Sequence, residues 1–254
     1  MTRYNHILIT GASSGIGEAL ALHYAKNKGC HQLSLCGRNV ERLENVAEKC
    51  RAEGVEVISK ILDITQSKEV ENWINETHLH HPLNLVIANA GVATTEETSE
   101  NIRRTFETNL MGVVNTVLPA LEIFKKSPRQ KNKHIVIISS IAGYHGLPAC
   151  PSYSASKAGV KAWGEALRLH HKKDGIRVST VCPGFVRSRI TDKNTCPMPF
   201  FMEADKAANI IAERIEKNVG LIAFPWPMRL ATWLGSILPN RISDFIYERM
   251  PYKV

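Results

Sequence analysis

The chain has 254 residues, which is enough for one domain with a sizeable core. Apolar residues make up 44% and charged residues 22%, so the composition is that of a globular protein and excludes a disordered chain. The net charge is +8, but the basic residues are spread along the chain without a block of five like charges, which argues against nucleic-acid binding.

Cysteine usage and apolar runs bear on the compartment. The six cysteines show no C-x-x-C spacing and are too sparse for a disulfide scaffold; they are Cys30, Cys36, Cys50, Cys150, Cys182 and Cys196. The N-terminus has no apolar stretch of signal-peptide length, and the longest segment without Asp, Glu, Lys or Arg is rich in Ser, Gly and Pro. We therefore predict buried thiols in a reducing cytoplasm.

Short apolar runs alternate with helical periods along the chain. The predicted strands are His6–Thr10, Leu33–Cys36, Val55–Leu62, Leu83–Ala88, His134–Ile138, Ile176–Val181 and Leu221–Phe224. The helices between them include one stopped by Gly29, one capped by Asn39 and ended by Gly54, a long one through Asn109, and Ser152–His171 and Glu203–Lys217.

Alternation of this kind predicts an α/β fold with a doubly wound, Rossmann-type sheet. The sheet should be mostly or wholly parallel, with about seven strands and helices on both faces. No linker or composition shift divides the chain, so we predict one domain over residues 1–254.

A glycine-rich loop, Thr10–Gly17, joins the first strand to the first helix with the spacing G-x-x-x-G-x-G. Glycines at this position let a pyrophosphate approach backbone N–H groups at a helix N-terminus. The loop therefore predicts a dinucleotide site. A turn without a ligand and a methyltransferase of related fold remain open alternatives from the loop alone, whereas a P-loop is disfavoured because no Lys-Ser/Thr follows.

Polar side chains collect where strands four and five end. Tyr153 and Lys157 are four apart at the start of a predicted helix and share one face. Ser139 and Ser140 end strand five, and Asn89–Gly91 ends strand four, at the sheet edge where α/β proteins place their sites. Each pattern alone is weak, but together they indicate one site.

These motifs, in this order, resemble the short-chain dehydrogenase/reductase family over about residues 5–190. The matches are the glycine loop, Asp63 after strand three, Asn89-Ala90-Gly91, Asn109, Ser140, Tyr153, Lys157, and Pro183-Gly184 with Ser188. Ser140 stands thirteen residues before Tyr153, which is the family's usual spacing, so it is a better match than Ser139.

The resemblance implies reversible hydride transfer between a nicotinamide and a carbonyl or alcohol carbon. It implies Tyr153 as general acid/base, Lys157 on the ribose and near the phenol, Ser140 on the substrate oxygen, and Asn109 holding a relay water. It implies cofactor contacts from Gly11, Ser13, Ser14, Gly15, Ile16, Gly17, Arg38, Asp63, Ile64, Asn89, Ala90, Gly91, Tyr153, Lys157, Pro183, Gly184, Val186 and Ser188. We expect the Lys157 ammonium to lower the pKa of Tyr153 toward about 7.

The end of strand two predicts which dinucleotide is preferred. No Asp or Glu lies between Leu33 and Val40 to hold the ribose hydroxyls of NAD, and Arg38 suits a 2′-phosphate. We therefore predict NADP(H) over NAD(H). Stacking of Arg38 on adenine, or its exposure to solvent, remains an alternative.

The last third departs from the family pattern. An apolar segment with Phe200 and Phe201 falls in the expected substrate lid, near 188–204, and hints at an apolar carbonyl substrate. Residues 225–254 carry apolar and basic side chains and have three open interpretations. We favour packing on their own subunit or near the substrate pocket; the others are a subunit contact and contact with a membrane. We predict a homodimer through the helices after strands four and five, and leave a tetramer in doubt.

Two further questions concern metals and catalysis. His78, His80 and His81 precede Pro82 in a predicted loop, where a solvated turn is favoured over a metal site, so no metal is expected.

A dinucleotide-binding regulator without activity, or an epimerase or dehydratase on the same scaffold, is the competing interpretation of the whole chain.

Overall fold

The computed structural model describes residues 2–94, 96–193 and 197–249. Seven strands are present: β1 His6–Thr10, β2 Gln32–Gly37, β3 Glu56–Ile61, β4 Leu85–Ala88, β5 Lys133–Ile138, β6 Ile176–Pro183 and β7 Leu221–Phe224. The helices are α1 Gly15–Ala25, α2 Val40–Ala52, α3 Ser67–His80, α4 Ser99–Phe106, α5 Gly112–Lys126, α6 Pro151–His170, α7 Ala204–Glu216, α8 Trp226–Ile237 and α9 Asn240–Tyr247. No helix in the described part of the chain is long and apolar enough to cross a membrane.

All seven strands form one parallel sheet in the order β3-β2-β1-β4-β5-β6-β7, which confirms the predicted fold. The chain order reverses between β1 and β4, and this switch point opens a crevice at the carboxyl edge. Helices α1, α2 and α7 bury one core against the sheet, and α3, α5 and α6 bury the other. The side chains that end β1, β4 and β5 therefore converge on one edge.

Local signals in the sequence were correct at some helix ends and wrong at others. The Arg42 backbone N–H donates to Asn39 Oδ1 at 2.9 Å, so Asn39 caps α2 as predicted. Gly29 does not stop α1, which ends at Ala25; a Cβ at Gly29 would clash with the Thr2 carbonyl, so close packing explains that glycine.

We predict a loop for the histidines before Pro82, but the structure places them at the end of a helix. His78 and His80 lie in the last turn of α3, and His81 caps its C-terminus. The Leu83 N–H donates to His78 Nδ1 at 3.2 Å, so the imidazole holds the chain where it leaves the helix. Among the described residues, no group of three or more His, Cys, Asp or Glu is placed to hold a metal.

Two buried histidines, His6 and His134, make the fold sensitive to acid. His6 bridges the His81 carbonyl and Ser34 Oγ, each at 2.8 Å, and His134 bridges Tyr4 and Ser179 at 2.7 and 2.9 Å. Burial lowers the pKa of His6 to about 4 and that of His134 to about 3. Both rings are therefore neutral in the folded protein at pH 5, while the unfolded chain takes up a proton at each.

We expect the free energy of unfolding to fall as the pH drops below about 6.5, by about 1.4 kcal/mol per pH unit for each histidine. Above that pH both rings are neutral in both states and contribute no pH dependence. Urea unfolding at a series of pH values measures the slope. His134→Gln, which keeps two polar groups, should remove about half of the histidine contribution. An unchanged slope in that variant would contradict the assignment.

Candidate active site

A cleft of about 370 Å³ runs along the carboxyl edge of the sheet. The described residues that we predicted to contact a cofactor line this cleft, with one exception. Gly17 lies behind the wall, because a Cβ there would strike the Gly11 carbonyl and the Asn89 side chain. Gly17 therefore supports the loop by close packing instead of facing the cleft.

The glycine loop is anchored from behind by β4. Asn89 Nδ2 donates to the carbonyls of Thr10 and Gly11 at 3.0 and 3.1 Å, and the Asn89 N–H donates to Thr10 Oγ1 at 3.1 Å. Gly11 and Gly15 have φ angles of +68° and +59°, which favour glycine. These bonds fix the course of the loop without using its outer face.

The start of α1 fits an anionic group. Ser14 is the N-cap residue of α1, and its side chain makes no capping hydrogen bond within the described structure. The first N–H groups of a helix need partners from outside the helix, and the helix dipole adds partial positive charge there. The residues present therefore suit the pyrophosphate of a dinucleotide.

The catalytic candidates meet between β5 and α6. Ser140 follows β5, and its side chain lies close enough to the phenol of Tyr153, on the first turn of α6, to act on the pKa of that phenol. Lys157 lies one turn further, with Nζ 5.8 Å from the centre of the Tyr153 ring. Ser139 instead donates to the Lys157 carbonyl at 2.7 Å and ties α6 to the sheet. The geometry thus favours Ser140 over Ser139 as the partner of a substrate oxygen.

Asn109 lies in a π-helical segment, Glu107–Met111, that interrupts the predicted long helix between α4 and α5. Its side chain accepts from the Val92 N–H and donates to the Val92 carbonyl, both at 2.8 Å, and contacts Ser156 Oγ at 3.3 Å. Single π turns are frequent at functional sites. The Asn109 amide is thus occupied in holding the chain after β4, and its part in a water relay stays a prediction.

The pKa of Tyr153 differs from our expectation. Burial raises it to about 12, against the hydrogen bond from Ser140, and no lowering by Lys157 is found. Burial also lowers the pKa of Lys157 to about 8. The Lys157 ammonium is 3.0 Å from the Ile138 carbonyl, which holds it beside the sheet. In the protein alone, desolvation therefore outweighs the attraction between the phenolate and the ammonium, and Tyr153 keeps its proton near neutral pH.

Arg38 and Arg42 line the same end of the cleft. Arg38 Nη1 lies 3.6 Å from Asp63 Oδ2. Burial acts to raise the pKa of Asp63, but hydrogen bonds from Thr65 and the charge of Arg38 outweigh it and lower the pKa. Arg42 could not be selected from its sequence neighbourhood. Its buried Nε has no partner among the described residues. The only available signal was its position four residues after Arg38.

Glu97 is a second residue that the sequence did not indicate. It lies in the loop between β4 and α4, and its carboxylate accepts from the Ser152 N–H at 3.2 Å and from the Ser152 hydroxyl at 2.8 Å. A carboxylate at a helix N-terminus is stabilising. Glu97 therefore anchors the first turn of α6, the turn that carries Tyr153.

The lid and the tail lie beside this cleft. Val186 pairs with Met202 in a parallel bridge, and the described lid residues Phe200 and Phe201 are exposed. Residues 194–196, including Cys196, lie outside the described part of the lid. In the tail, residues 250–254 are likewise outside, and α8 has no buried residue. Met228 of α8 approaches Gly184 in the wall of the cleft, whereas the apolar side of the helix is exposed, so the three interpretations of the tail stay predictions.

Comparison with known proteins agrees with this geometry. An "Uncharacterized oxidoreductase" of Myxococcus xanthus is 34% identical over 97% of this chain and 98% of its own. An 11-beta-hydroxysteroid dehydrogenase 1A of Arabidopsis thaliana is 36% identical over 73% of this chain and 53% of its own. A short-chain dehydrogenase from Sphingobium yanoikuyae, solved with NADPH, has a TM-score of 0.80 at 26% identity and covers 97% of this chain and 96% of its own. The sequence profile described as "short chain dehydrogenase" matches residues 5–197. The resemblance is thus confirmed: the chain belongs to the short-chain dehydrogenase family of oxidoreductases.

Proposed function

We propose that the protein transfers a hydride between NADP(H) and a carbonyl or secondary alcohol, with Tyr153 as general acid/base. The observation that carries the proposal is the meeting of Ser140, Tyr153 and Lys157 in a cleft whose far end is built by the glycine loop. A bound nicotinamide supplies or accepts the hydride. The chain itself has to orient the substrate and move one proton.

Each residue then has a defined task. Tyr153 donates its phenolic proton to the substrate oxygen during reduction, and Ser140 holds that oxygen in reach. Lys157 holds the ribose and supplies a positive charge behind the phenol. Glu97 and Asn109 act through other residues, by fixing the start of α6 and the chain at Val92.

The pKa values predict how the rate depends on pH. Tyr153 keeps its proton throughout the neutral range, and Lys157 is charged below about 8. We expect kcat/KM for reduction to be level at lower pH and to fall about tenfold per pH unit once Lys157 loses its proton. Steady-state rates between about pH 6 and 10 test this. In Lys157→Arg, which stays charged, the fall should move to higher pH; an unchanged inflection would contradict the assignment.

The cofactor preference rests on Arg38 and Arg42. Two guanidinium groups at one end of the cleft suit the 2′-phosphate that distinguishes NADP from NAD. Asp63 competes for Arg38 at 3.6 Å, so Arg42, which also lines the cleft, adds a second guanidinium there. The NADPH in the Sphingobium yanoikuyae structure supports this choice of cofactor.

A paired titration with NADPH and NADH tests the proposal, using energy transfer from tryptophan to the reduced nicotinamide. We expect tighter binding of NADPH, followed by turnover of a carbonyl substrate. Tighter binding of NADH would refute the roles given to Arg38 and Arg42. Tight binding without turnover of any carbonyl would favour a regulator or a reaction without net redox.

The substrate that fits best is an apolar carbonyl compound. The described lid presents Ile190, Phe200 and Phe201, and α8 begins beside it with Met228 against Gly184. The steroid-dehydrogenase name of the Arabidopsis thaliana relative supports the same class. A homodimer through α4–α5 and α6 stays a prediction.

A further inference from the structure

Helix α8 presents to solvent the side that carries Trp226 and Trp233, and it turns the opposite side toward the protein. Met228, Thr232 and Gly235 are partly buried on the inner side. The outer side chains are Trp226, Leu230, Trp233, Leu234 and Ile237, of which Trp226 is 73% and Ile237 60% exposed. An amphipathic helix of a globular protein normally faces the other way.

Helix α9 has the same orientation. Ser243 is 3% exposed, whereas Ile242, Phe245 and Ile246 are exposed. We call these eight exposed side chains of α8 and α9 the tail face. Exposed apolar surface on a protein marks a candidate interaction site, and both consecutive helices expose their large apolar side chains.

The tail face lies beside the opening of the cleft. Helix α8 follows β7, and the lid follows β6; these neighbouring parallel strands both end at the carboxyl edge. Met228 Sδ lies 3.1 Å from where a Cβ of Gly184 would be, so the start of α8 is in contact with the chain that leads into the lid. Phe200 and Phe201, which belong to the lid, are also exposed.

We propose that the tail face docks on an anionic lipid surface. Tryptophans among aliphatic side chains are typical of helices that lie in the membrane interface, and α8, with twelve residues, is too short to cross. Residues 226–249 carry three arginines and two acids, and the chain has a net charge of +8. This charge attracts an anionic surface, which favours lipid as the occupant of the tail face.

Vesicle binding by the full chain tests the proposal. We expect co-sedimentation with vesicles of phosphatidylglycerol and phosphatidylcholine, and weaker binding to phosphatidylcholine alone or at high salt. Trp226 and Trp233 should be quenched by brominated lipid, whereas Trp73 and Trp163 pack against the core.

A matched pair of variants locates the contact. Leu234→Glu with Ile237→Glu should weaken vesicle binding by at least about tenfold. Leu79→Glu with Leu169→Glu adds the same charge at two other exposed leucines, 82% and 74% exposed, and should reduce binding much less. Thermal melting and NADPH binding check that both variants fold.

Three results would overturn the proposal. One is the absence of binding to anionic vesicles, and another is equal loss of binding in both variants. The third is a concentration-dependent dimer in sedimentation velocity, without lipid binding, that Leu234→Glu with Ile237→Glu abolishes; this would assign the tail face to a second copy. None of these results bears on turnover, so the proposed function is tested separately.

Discussion

Replacing Tyr153 with phenylalanine is expected to lower kcat for carbonyl reduction by about 10²–10⁴-fold. The substitution removes the proton that the substrate oxygen needs and keeps the ring that packs in the wall of the cleft. Because the phenol pKa is about 12 in the protein alone, the hydroxyl adds no charge to the cofactor site at neutral pH. The Kd for NADPH should therefore stay within about twofold of the wild-type value.

The control for this variant is Tyr24→Phe. Tyr24 is fully buried on α1, and its hydroxyl has no partner among the described residues. Its removal should leave both kcat and the Kd for NADPH near the wild-type values. Retained turnover in Tyr153→Phe would refute the catalytic assignment, and loss of NADPH binding in that variant would show that the substitution disturbs the cleft itself.

The second large effect concerns the cofactor. Replacing both Arg38 and Arg42 with alanine is expected to weaken NADPH binding by about 10²–10⁴-fold, because each charge-assisted contact is worth about 1.5–3 kcal/mol. NADH lacks the 2′-phosphate, so its Kd should change little. Fluorescence titration of the two single variants and the double variant measures each contribution.

The control is Arg51→Ala, further along α2, where Arg51 pairs with Glu44. It removes the same charge from the same helix away from the cleft and should leave both affinities unchanged. Equal losses for NADPH and NADH in the double variant would contradict the 2′-phosphate assignment. A loss carried by Arg38 alone would remove Arg42 from the site.

The fold could be predicted because its signals are local. Buried parallel strands read as continuous apolar runs, and the Asn39 cap and the glycine loop mark where helices begin. The alternation of strand and helix indicated parallel strands in a doubly wound sheet, whereas the order of the strands came from the structure. The prediction that Gly29 ends the first helix was wrong because this glycine is needed for a tertiary contact with Thr2, which the local sequence does not indicate.

The site was only partly predictable. Motif spacing indicated Ser140, Tyr153 and Lys157, but spacing cannot weigh burial against charge, so it did not show that burial raises the pKa of Tyr153 in the protein alone. Arg42 and Glu97 depend on which elements meet in space, a fact that the sequence around each residue does not contain.

The tail shows the same limit. Apolar residues at helical spacing predict a helix with one apolar side, and α8 has such a side. The direction that this side faces depends on what the rest of the protein offers. Here the neighbouring elements receive Thr232 and Gly235, and the tryptophans point away.

The anchoring of the glycine loop by Asn89 lowers the conformational entropy that is lost when a cofactor binds. Three hydrogen bonds fix the loop from the side of the sheet, so its conformational entropy is lost during folding and not during binding. A dinucleotide would meet a surface that already has its bound shape. Amide hydrogen exchange should therefore slow little in the loop when cofactor binds, and any large change should fall in the lid.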